Sequence, residues 1–254
     1  MTIAIPAHNE ARRIGECLDA VIAEIGRLGH GATPPPWLGP VEILVIDNAS
    51  SDSTAAIAGH RADAAAAVGA SLRVVGEPRK GLTLARRCGH RQAREPIVAW
   101  IDADTRMPPG WIERVWDSFE AAPDLVCVSG PYRYHDQPAW QRALVWLYWR
   151  LLALPCYWWT GYLAVGGNFA VRRIAVDRIG GFDPSIEFWG EDTDIARRLA
   201  KVGRVRFRLD LAMPTSARRL AAEGLWRTGL RYAGNFVSEV IRKQPLSQTY
   251  RDIR

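Results

Sequence analysis

The chain has 254 residues, of which 48% are hydrophobic and 24% are charged, and its net charge is +6. A composition of this kind can bury the core of one large domain, so a wholly disordered chain and a multidomain assembly are both excluded. The four cysteines are widely spaced and form no C-x-x-C pair, which argues against a disulfide scaffold or a cysteine zinc site and is typical of a reducing compartment.

Strand and helix patterns alternate through the first half of the chain. The first residues predict a strand rather than a secretory signal, because no basic stretch precedes an apolar one. In chain order the predicted elements are a strand over 3–6, a helix over 11–28, a strand over 41–46, a helix from 53 or 54 to about 68, a strand over 72–75, a helix over 82–94, a strand over 97–101, a helix opened by Pro108-Pro109 and reaching about 120, and a strand over 125–129. This alternation predicts an α/β fold whose mainly parallel sheet is covered by helices on both faces.

Three of the predicted strands end in polar residues, at 7–10, 47–50 and 102–104. Ligands of parallel α/β sheets bind at the carboxyl ends of the strands, so we expect these three segments to meet at one rim. No glycine-rich dinucleotide fingerprint and no P-loop sequence is found, which removes the main support for a dinucleotide oxidoreductase or a P-loop enzyme.

Asp102 and Asp104 form a D-x-D pair directly after a predicted buried strand. In extended backbone the side chains at positions i and i+2 point the same way, so two carboxylates lie side by side. Such a pair repels itself unless a cation is near, and Mg²⁺ is typically held by one or two carboxylates together with substrate phosphates. The pattern favours a metal–diphosphate site over the alternative, a solvated turn.

A second acidic cluster, Glu191-Asp192-Thr193-Asp194, follows Trp189 and opens a predicted helix. Asp194 stands three and four residues before two arginines, which is a common helix-surface arrangement. Acidic residues at a helix N-terminus can also simply complement the helix dipole. That explanation accounts less well for Glu191 and Asp192, which would suit a general base that accepts a hydroxyl proton.

Basic residues and glycines near these clusters are further candidates. Lys80 and Arg86 flank the start of a predicted helix, where they either face nucleotide phosphates or form a solvated basic surface. Gly167 belongs to a Gly-Gly-Asn sequence that predicts a tight turn beside the site. No second histidine accompanies His8 at ligand spacing, which argues against a histidine metal site.

The second half of the chain combines a tryptophan-rich segment with a basic end. Residues 140–162 hold five of the eleven tryptophans, and Arg150 is the only charge between 143 and 165. A buried helix, an interfacial surface and a membrane span interrupted by Arg150, Pro155 and Gly161 all remain open. Residues 197–254 carry a balance of +10 against −4 for the rest, which indicates either an anionic partner or a solvated helix. This region has no nucleic-acid reader motif, so no nucleic-acid partner is expected.

The order of these motifs resembles a family 2 glycosyltransferase with the GT-A fold. The motifs that carry the resemblance are residues 6–10 after the first strand, residues 45–54 after the second, Gly81 with residues 85–87, the Asp102-Ala103-Asp104 element, and residues 180–183 leading into 190–194. They extend from residue 1 to about 208. Each motif is weak alone, and the set in this order is specific.

The resemblance implies an inverting hexosyltransferase that acts on a cell-envelope glycan and needs Mg²⁺ or Mn²⁺. A nucleotide-sugar donor would contact Pro6, Ala7, His8, Asn9, Glu10, Asp47, Lys80, Arg86, Asp102, Ala103 and Asp104. Asp102 and Asp104 match the ribose and metal contacts, and Asp104 is the more direct metal ligand. Asp192 matches the base that activates the acceptor, and its neighbour Glu191, Trp189 and Gly167 would line the acceptor. Arg218 and Arg219 could add positive charge over the diphosphate.

Two departures from the family pattern affect the expected activity. The usual double aspartate after the second strand is Asp47-Asn48 here, and the Q-x-x-R-W element of processive synthases is not found near Arg218, so single addition is expected. The predicted organisation is a GT-A domain over 1–212, with a nucleotide half at 1–130 and an acceptor half at 131–212, followed by a basic helical extension over 213–254.

The predicted setting is the cytoplasm, with a lipid-linked or amphipathic acceptor and peripheral contact with the cytoplasmic face of the membrane as a further expectation. Two alternatives stay open at this point. One is a nucleotidyl- or sugar-phosphate-handling enzyme that shares the D-x-D site. The other is a non-catalytic module that binds nucleotide sugars or docks to membranes.

Overall fold

The computed structural model describes residues 1–29, 39–186 and 190–224, together with positions 234 and 238. Within these residues the strands are β1 (Thr2–Ala7), β2 (Val41–Asn48), β3 (Ala70–Glu77), β4 (Ile97–Ile101), β5 (Leu125–Ser129), β6 (Tyr132–Tyr134), β7 (Asn168–Arg172), β8 (Arg204–Phe207) and β9 (Met213–Thr215). The helices are α1 (Ile14–Gly29), α2 (Thr54–Gly59), α3 (Ala62–Ala67), α4 (Leu82–Gln92), α5 (Trp111–Glu120), α6 (Ala139–Tyr148), α7 (Leu154–Thr160), α8 (Arg173–Arg178), α9 (Glu191–Leu199) and α10 (Arg218–Glu223).

Seven strands form one sheet in the order β3-β2-β1-β4-β7-β5-β8, and β6 pairs with β9 in a separate ribbon. β7 runs antiparallel to both of its neighbours, β4 and β5, and every other pair in the sheet is parallel. The predicted α/β fold with a mainly parallel sheet is therefore confirmed.

Alternation along the strands fills a core on each face of the sheet. Ile3 and Ile5 of β1 pack with α1 and α5 on one face, whereas Ala4 packs with α4, α8 and α9 on the other. Because successive side chains of a strand point to opposite faces, a strand covered on both sides must be apolar throughout, as β1 and β2 are. The sheet is therefore held rigidly, and its carboxyl edge is a firm base for loops.

The structure differs from the sequence predictions at three elements. The helix predicted from 53 or 54 to 68 is divided into α2 and α3, and at the break Arg61 pairs with Asp19 at 3.2 Å. The Gly-Gly-Asn sequence leads into β7, a central strand that was not predicted. The extension predicted to be helical from 213 begins with β9, whose pairing with β6 ties it to the domain.

The tryptophan-rich segment forms a helical stretch in which a π-helical turn, Trp149–Ala153, joins α6 to α7. The turn directly precedes Pro155, which has no N–H to contribute to the α-helical hydrogen bonds. One side of this stretch packs on Phe207, and the other side is exposed. None of the described helices has both the length and the apolarity that a bilayer span requires.

Candidate functional site

The loops after β1 and β2 are bound to each other at the carboxyl edge of the sheet. Nδ1 of His8 donates to the carbonyl of Asn48 at 2.7 Å, and the Asn9 carboxamide oxygen accepts from the N–H of Ser51 at 2.7 Å. The N–H of Glu10 donates to Oγ1 of Thr54 at 2.8 Å. Asn9 takes a positive φ of 52°, which asparagine tolerates better than most residues, so the tight turn suits this residue. These contacts give a fixed two-loop platform.

Asn48 explains why an asparagine stands where the family pattern has a second aspartate. Its side-chain nitrogen donates to the carbonyls of Glu77 and Arg79 at 3.3 and 2.7 Å, and its oxygen accepts from the N–H of Gly81 at 2.8 Å. An aspartate has no N–H to donate. Asn48 therefore holds the loop from β3 to α4 in place, a role that sequence reasoning missed because it depends on contacts about 30 residues away.

The residues predicted to bind the nucleotide-sugar donor differ in exposure and in their free polar atoms. Oδ1 of Asp47 is buried and has no hydrogen-bond partner among the described residues. Pro6 is partly exposed and Lys80 is exposed. The side chains of Ala7 and Ala103 belong to the hydrophobic core, so their predicted contact with a donor would be made by the backbone.

Asp102 is held by Tyr132, which sequence reasoning did not single out. The hydroxyl of Tyr132 donates to Oδ2 of Asp102 at 2.6 Å and accepts from the N–H of Gly167 at 2.7 Å. A β-carbon at position 167 would overlap both the tyrosine hydroxyl and the aspartate carboxylate, so glycine is required there. Asp102 is thereby fixed in orientation from the opposite half of the chain.

Asp104 lies in a cluster of charged side chains to which the C-terminal part of the domain contributes Arg218. Nε of Arg218 is 3.0 Å from Oδ2 of Asp104, and its terminal nitrogens bind both oxygens of Glu10 at 2.5 and 2.9 Å. Burial raises the pKa of Asp104 to about 6; Arg218 opposes this shift, and the charges of Asp102 and Glu10 add to it. Glu10 and Asp104 therefore share Arg218 at the position where the D-x-D pair was predicted to bind metal.

The metal prediction rests on Asp102 and Asp104 alone. Among the residues that the structure describes, no group of three or more histidine, cysteine or acidic side chains is arranged to hold an ion. Two carboxylates are nevertheless enough for Mg²⁺ when substrate phosphates and water complete its shell. The donor set fits an ion that arrives with a diphosphate, and it does not fit a permanently bound ion.

A charged cleft of about 260 Å³ lies beside Asp104, lined by three arginines and three acidic residues. Its walls include Arg12 and Arg13 from the turn before α1, Arg106 from the loop after β4, and His135 from the loop after β6. The side chain of Arg106 is partly neutralised by Glu16 at 2.6 Å. The cleft therefore places arginine side chains close to the buried carboxylates, with acidic side chains that balance their charge.

Arg86 is placed otherwise than the sequence predicted. It is only 1% exposed, its guanidinium lies 5.1 to 5.9 Å from the ring centroids of Trp100, Phe169 and Phe182, and it pairs with Glu191 at 3.1 Å. This burial corrects the expectation that Arg86 faces nucleotide phosphates. Arg86 instead supports the second acidic cluster from within the core.

Glu191 and Asp192 open α9 in different environments. Glu191 is buried, and burial raises its pKa to about 8 although the nearby Arg86 charge opposes the shift. Asp192 is only partly covered, and its oxygens accept from the N–H groups of Thr193 at 2.8 Å and Gly166 at 3.1 Å. Burial also raises the pKa of Asp192, against the effect of Arg86 and these hydrogen bonds. Asp194, two residues on, pairs with Arg197 and Arg198.

The turn before β7 connects the two acidic clusters. Gly166 donates its N–H to Asp192, and its carbonyl accepts from Arg86 at 2.5 Å, while the next N–H, from Gly167, binds Tyr132 and so Asp102. Two consecutive peptide groups thus reach both clusters. Of the other predicted site residues, Trp189 and the side chain of Arg219 lie outside the described residues.

Comparison with known protein families gives two matches. The profile described as glycosyl transferase family 2 matches residues 2–180, and one described as the N-terminal domain of galactosyltransferase matches residues 155–218. Glycosyltransferase AglE of Haloferax volcanii is 32% identical over 114 residues, 45% of this chain and 33% of AglE. An uncharacterized glycosyltransferase of Mycobacterium tuberculosis is 36% identical over 126 residues, 50% of this chain and 46% of that protein. The chain spans less than half of the length of these relatives.

Solved structures share the fold. The mannosyltransferase PcManGT of Pyrobaculum calidifontis, in complex with GDP-Man and Mn²⁺, matches with a TM-score of 0.70 at 22% identity, over 95% of this chain and 64% of that one. TarS of S. aureus in complex with UDP-GlcNAc matches with a TM-score of 0.59 at 15% identity, over 84% of this chain and 56% of that one. At these identities the likeness concerns the fold, and it confirms the GT-A prediction.

Proposed function

Because the chain belongs to glycosyltransferase family 2, we propose that it transfers a sugar from a nucleotide-sugar donor to an acceptor hydroxyl by direct displacement, with inversion and single addition. The observation that carries this proposal is the turn at Gly166 and Gly167, whose peptide groups bind Asp192 on one side and, through Tyr132, Asp102 on the other. A displacement needs a leaving group and a base held on either side of the reacting carbon.

The donor end of the proposed site lies at the edge shared by β1, β2 and β4. Asp47 offers a buried carboxylate oxygen without a partner among the described residues, which suits a base or ribose hydrogen-bond donor. The neighbours solved with GDP-Man and UDP-GlcNAc support a nucleotide-sugar donor of this class. Arg218, beside Asp104, and the arginines of the neighbouring cleft offer charged hydrogen-bond donors for a diphosphate.

We propose that Asp104, with Asp102, holds Mg²⁺ or Mn²⁺ together with the donor diphosphate. When bound, such an ion offsets the negative charge that develops on the leaving diphosphate. Asp104 would hold the ion, and Arg218, which pairs with Asp104 in this structure, would be available to phosphate oxygens. The Mn²⁺ complex of a structural neighbour supports this assignment.

Asp192 is the proposed base. The N–H groups of Gly166 and Thr193 hold its carboxylate in one orientation, and the raised pKa strengthens it as a proton acceptor. Glu191 is buried and engaged by Arg86 at 3.1 Å, so the base is assigned to its less buried neighbour Asp192. Arg86 holds Glu191 and the Gly166 carbonyl together and thereby positions the base.

The proposed acceptor is lipid-linked or otherwise amphipathic, presented at the cytoplasmic face of a membrane. The support is the position of the exposed apolar stretch over 139–160, which is joined at its two ends to the segments that carry Tyr132 and Gly166. The acceptor would thus approach from the side on which Asp192 lies.

A screen of nucleotide sugars tests the donor proposal. The right donor with Mn²⁺ or Mg²⁺, present at about 100 times its Kd, should stabilise the protein by roughly 2.7 kcal/mol, and turnover should release the nucleoside diphosphate. Chelation or Asp104→Ala should abolish both the release and the metal-dependent stabilisation. Turnover that persists in chelator would overturn the metal assignment, and an inverted anomeric signal in the product NMR spectrum checks the stereochemistry.

Asp192→Asn tests the base. The amide keeps the shape of the carboxylate but cannot accept a proton, so kcat should fall by about 10²–10⁴-fold while donor affinity stays unchanged. Asp194→Asn is the matched control on the same helix, because it loses the ion pairs with Arg197 and Arg198 but not the proposed base. A loss of donor affinity with normal kcat in Asp192→Asn would assign this residue to the donor instead.

A further inference from the structure

The stretch formed by α6, the π-helical turn and α7 carries a large apolar surface on its outer side. Six of its side chains are more than half exposed, and we call this surface the Trp face: Trp140, Trp146, Leu151, Leu152, Trp158 and Trp159. The two last tryptophans are 70% and 78% exposed. Large apolar patches on a protein surface mark sites of contact with another molecule or a membrane.

The exposure of the Trp face does not arise from loose packing of the helices. On their inner side, Trp149 and Tyr157 lie 5.7 and 6.2 Å from the ring of Phe207. Nε1 of Trp149 donates to the carbonyl of Tyr132 at 3.1 Å, and the hydroxyl of Tyr157 donates to that of Val205 at 3.2 Å. The stretch is therefore amphipathic, with one aromatic side fixed in the fold and the other presented outward.

The charged residues within the segment that bears the Trp face are all positive. From position 137 to position 176 the sequence has four arginines and no acidic residue. Arg172 and Arg173 donate hydrogen bonds to backbone carbonyls of the core, whereas Arg142 and Arg150 are exposed. Arg150 lies over the ring of Trp146 at 4.7 Å. Tryptophan side chains favour the headgroup level of a bilayer, and arginines pair with anionic headgroups. An exposed surface with tryptophans and arginines therefore matches an anionic lipid bilayer.

Both ends of the stretch lead directly to the candidate site. β6, which precedes α6, carries the Tyr132 hydroxyl that binds Asp102. The residues after α7 end at Gly166, whose N–H binds Asp192. The Trp face is therefore joined through short segments of chain to the residues that hold Asp102 and the proposed base.

We propose that the Trp face docks on an anionic lipid bilayer, with its tryptophans at the level of the headgroups and Arg142 and Arg150 paired with lipid phosphates. This inference deepens the proposed function only in naming the source of the acceptor. Vesicle binding is measured without donor or turnover, so it can fail while the transferase activity stands, and the reverse also holds.

The test is co-sedimentation of the full chain with phosphatidylcholine vesicles that contain or lack phosphatidylglycerol. The wild-type protein should bind the anionic vesicles at low salt and less at high salt. Trp158→Ser with Trp159→Ser should weaken the partition by about tenfold or more, because two interfacial side chains are lost. Arg142→Gln with Arg150→Gln should reduce binding to anionic vesicles and leave binding to neutral ones unchanged.

Ile174→Ser is the matched control, since Ile174 is 57% exposed but lies on α8, outside the Trp face. It should bind vesicles as the wild type does. Equal binding by the tryptophan variant and the Ile174 variant would overturn the proposal, as would a wild-type protein that stays in the supernatant at low salt. A wild-type dimer that becomes a monomer in the tryptophan variant would assign the Trp face to a second copy of the chain and likewise overturn it.

Discussion

Polar residues at the carboxyl edge of the sheet either contact a ligand or hold the local structure in place, and the sequence does not distinguish these two roles. Asp47 keeps a buried carboxylate oxygen without a partner among the described residues, whereas Asn9, Asn48 and Arg86 are engaged in holding loops and acids in place. A polar residue in a motif can serve either purpose, because the same donors and acceptors bind a ligand or a neighbouring backbone. Burial and partner distances distinguish them.

Asn48→Asp should destabilise the fold although the two side chains have the same shape. The substitution removes two N–H donors and leaves the carbonyls of Glu77 and Arg79 without this partner, at a cost of about 1–3 kcal/mol for each unsatisfied group. Urea unfolding measures the change. Asn9→Asp is the control, because the Asn9 oxygen acts as an acceptor for Ser51 and an aspartate retains it. Equal stability of Asn48→Asp and wild type would contradict the role given to Asn48.

Glu191→Gln should flatten the pH dependence of stability between pH 5 and 8. The pKa of Glu191 in the folded state is about 8, above its ordinary value of 4.5, so the folded protein binds this proton more tightly than the unfolded chain does. The stabilisation from Glu191 is complete below pH 4.5 and is lost as the pH rises through 8. Unfolding free energies at pH 5 and pH 8 should therefore differ more in the wild type than in the variant. Parallel pH profiles would refute this prediction.

At the scale of elements, β7 is the strand that brings the two halves of the site together. It lies between β4 and β5 and antiparallel to both, so its first residue, Asn168, pairs with Ile101 at the edge where Asp102 follows. The glycines that precede it are thereby set against Asp102 and Asp192. The sequence predicted a tight turn here but not the strand, because five residues flanked by a glycine pair and a helix lack a long periodic pattern.

Gly167→Ala should reduce turnover strongly and also lower stability. The added β-carbon would overlap the Tyr132 hydroxyl and the Asp102 carboxylate, so that one or both must move. A displacement of about 1 Å at a reacting group can cost 10²-fold in rate. Gly76→Ala is the control, since a β-carbon at that position in β3 meets no atom within 4 Å. Normal kinetics in Gly167→Ala would show that the turn tolerates a shift.

At the scale of the whole molecule, Arg218 joins the end of the described domain to its beginning. The ion pairs that it forms with Glu10 and Asp104 span more than 100 residues of sequence, and the β6–β9 ribbon leads the chain to this point. Part of the region that carries the +10 balance is therefore inside the site. Residues 225–254, apart from positions 234 and 238, lie outside the described residues.

Arg218→Gln should destabilise the protein, because Glu10 and Asp104 lose the cation that they share while remaining largely buried. Removing one partner of a buried pair costs up to about 3–5 kcal/mol, and the partial exposure of Arg218 places the expected loss toward the lower side of that range. Arg204→Gln is the control, since its pair with Asp124 is exposed on both sides. Thermal unfolding compares the two, and equal losses would contradict a special role for Arg218.

The sequence by itself predicted five of the seven strands of the sheet and its ligand edge. Three short apolar runs predict strands that are buried on both faces, because a strand covered on both sides must be apolar throughout. These runs end in the polar segments Ala7-His8-Asn9-Glu10, Asp47-Asn48 and Asp102-Ala103-Asp104. The α/β class, most element positions and the GT-A family followed from these runs and their order.

Only the tertiary structure decided which polar residues face the site. Arg86 is enclosed by three aromatic rings and Glu191, Tyr132 reaches Asp102 across 30 residues, and Arg218 reaches Glu10 across 208. The sequence likewise did not decide whether residues 140–162 are buried or exposed, since five tryptophans in an apolar segment fit a core as well as a surface. The physical reason is that burial and pairing are set by neighbours distant in the chain, and no local pattern records those neighbours.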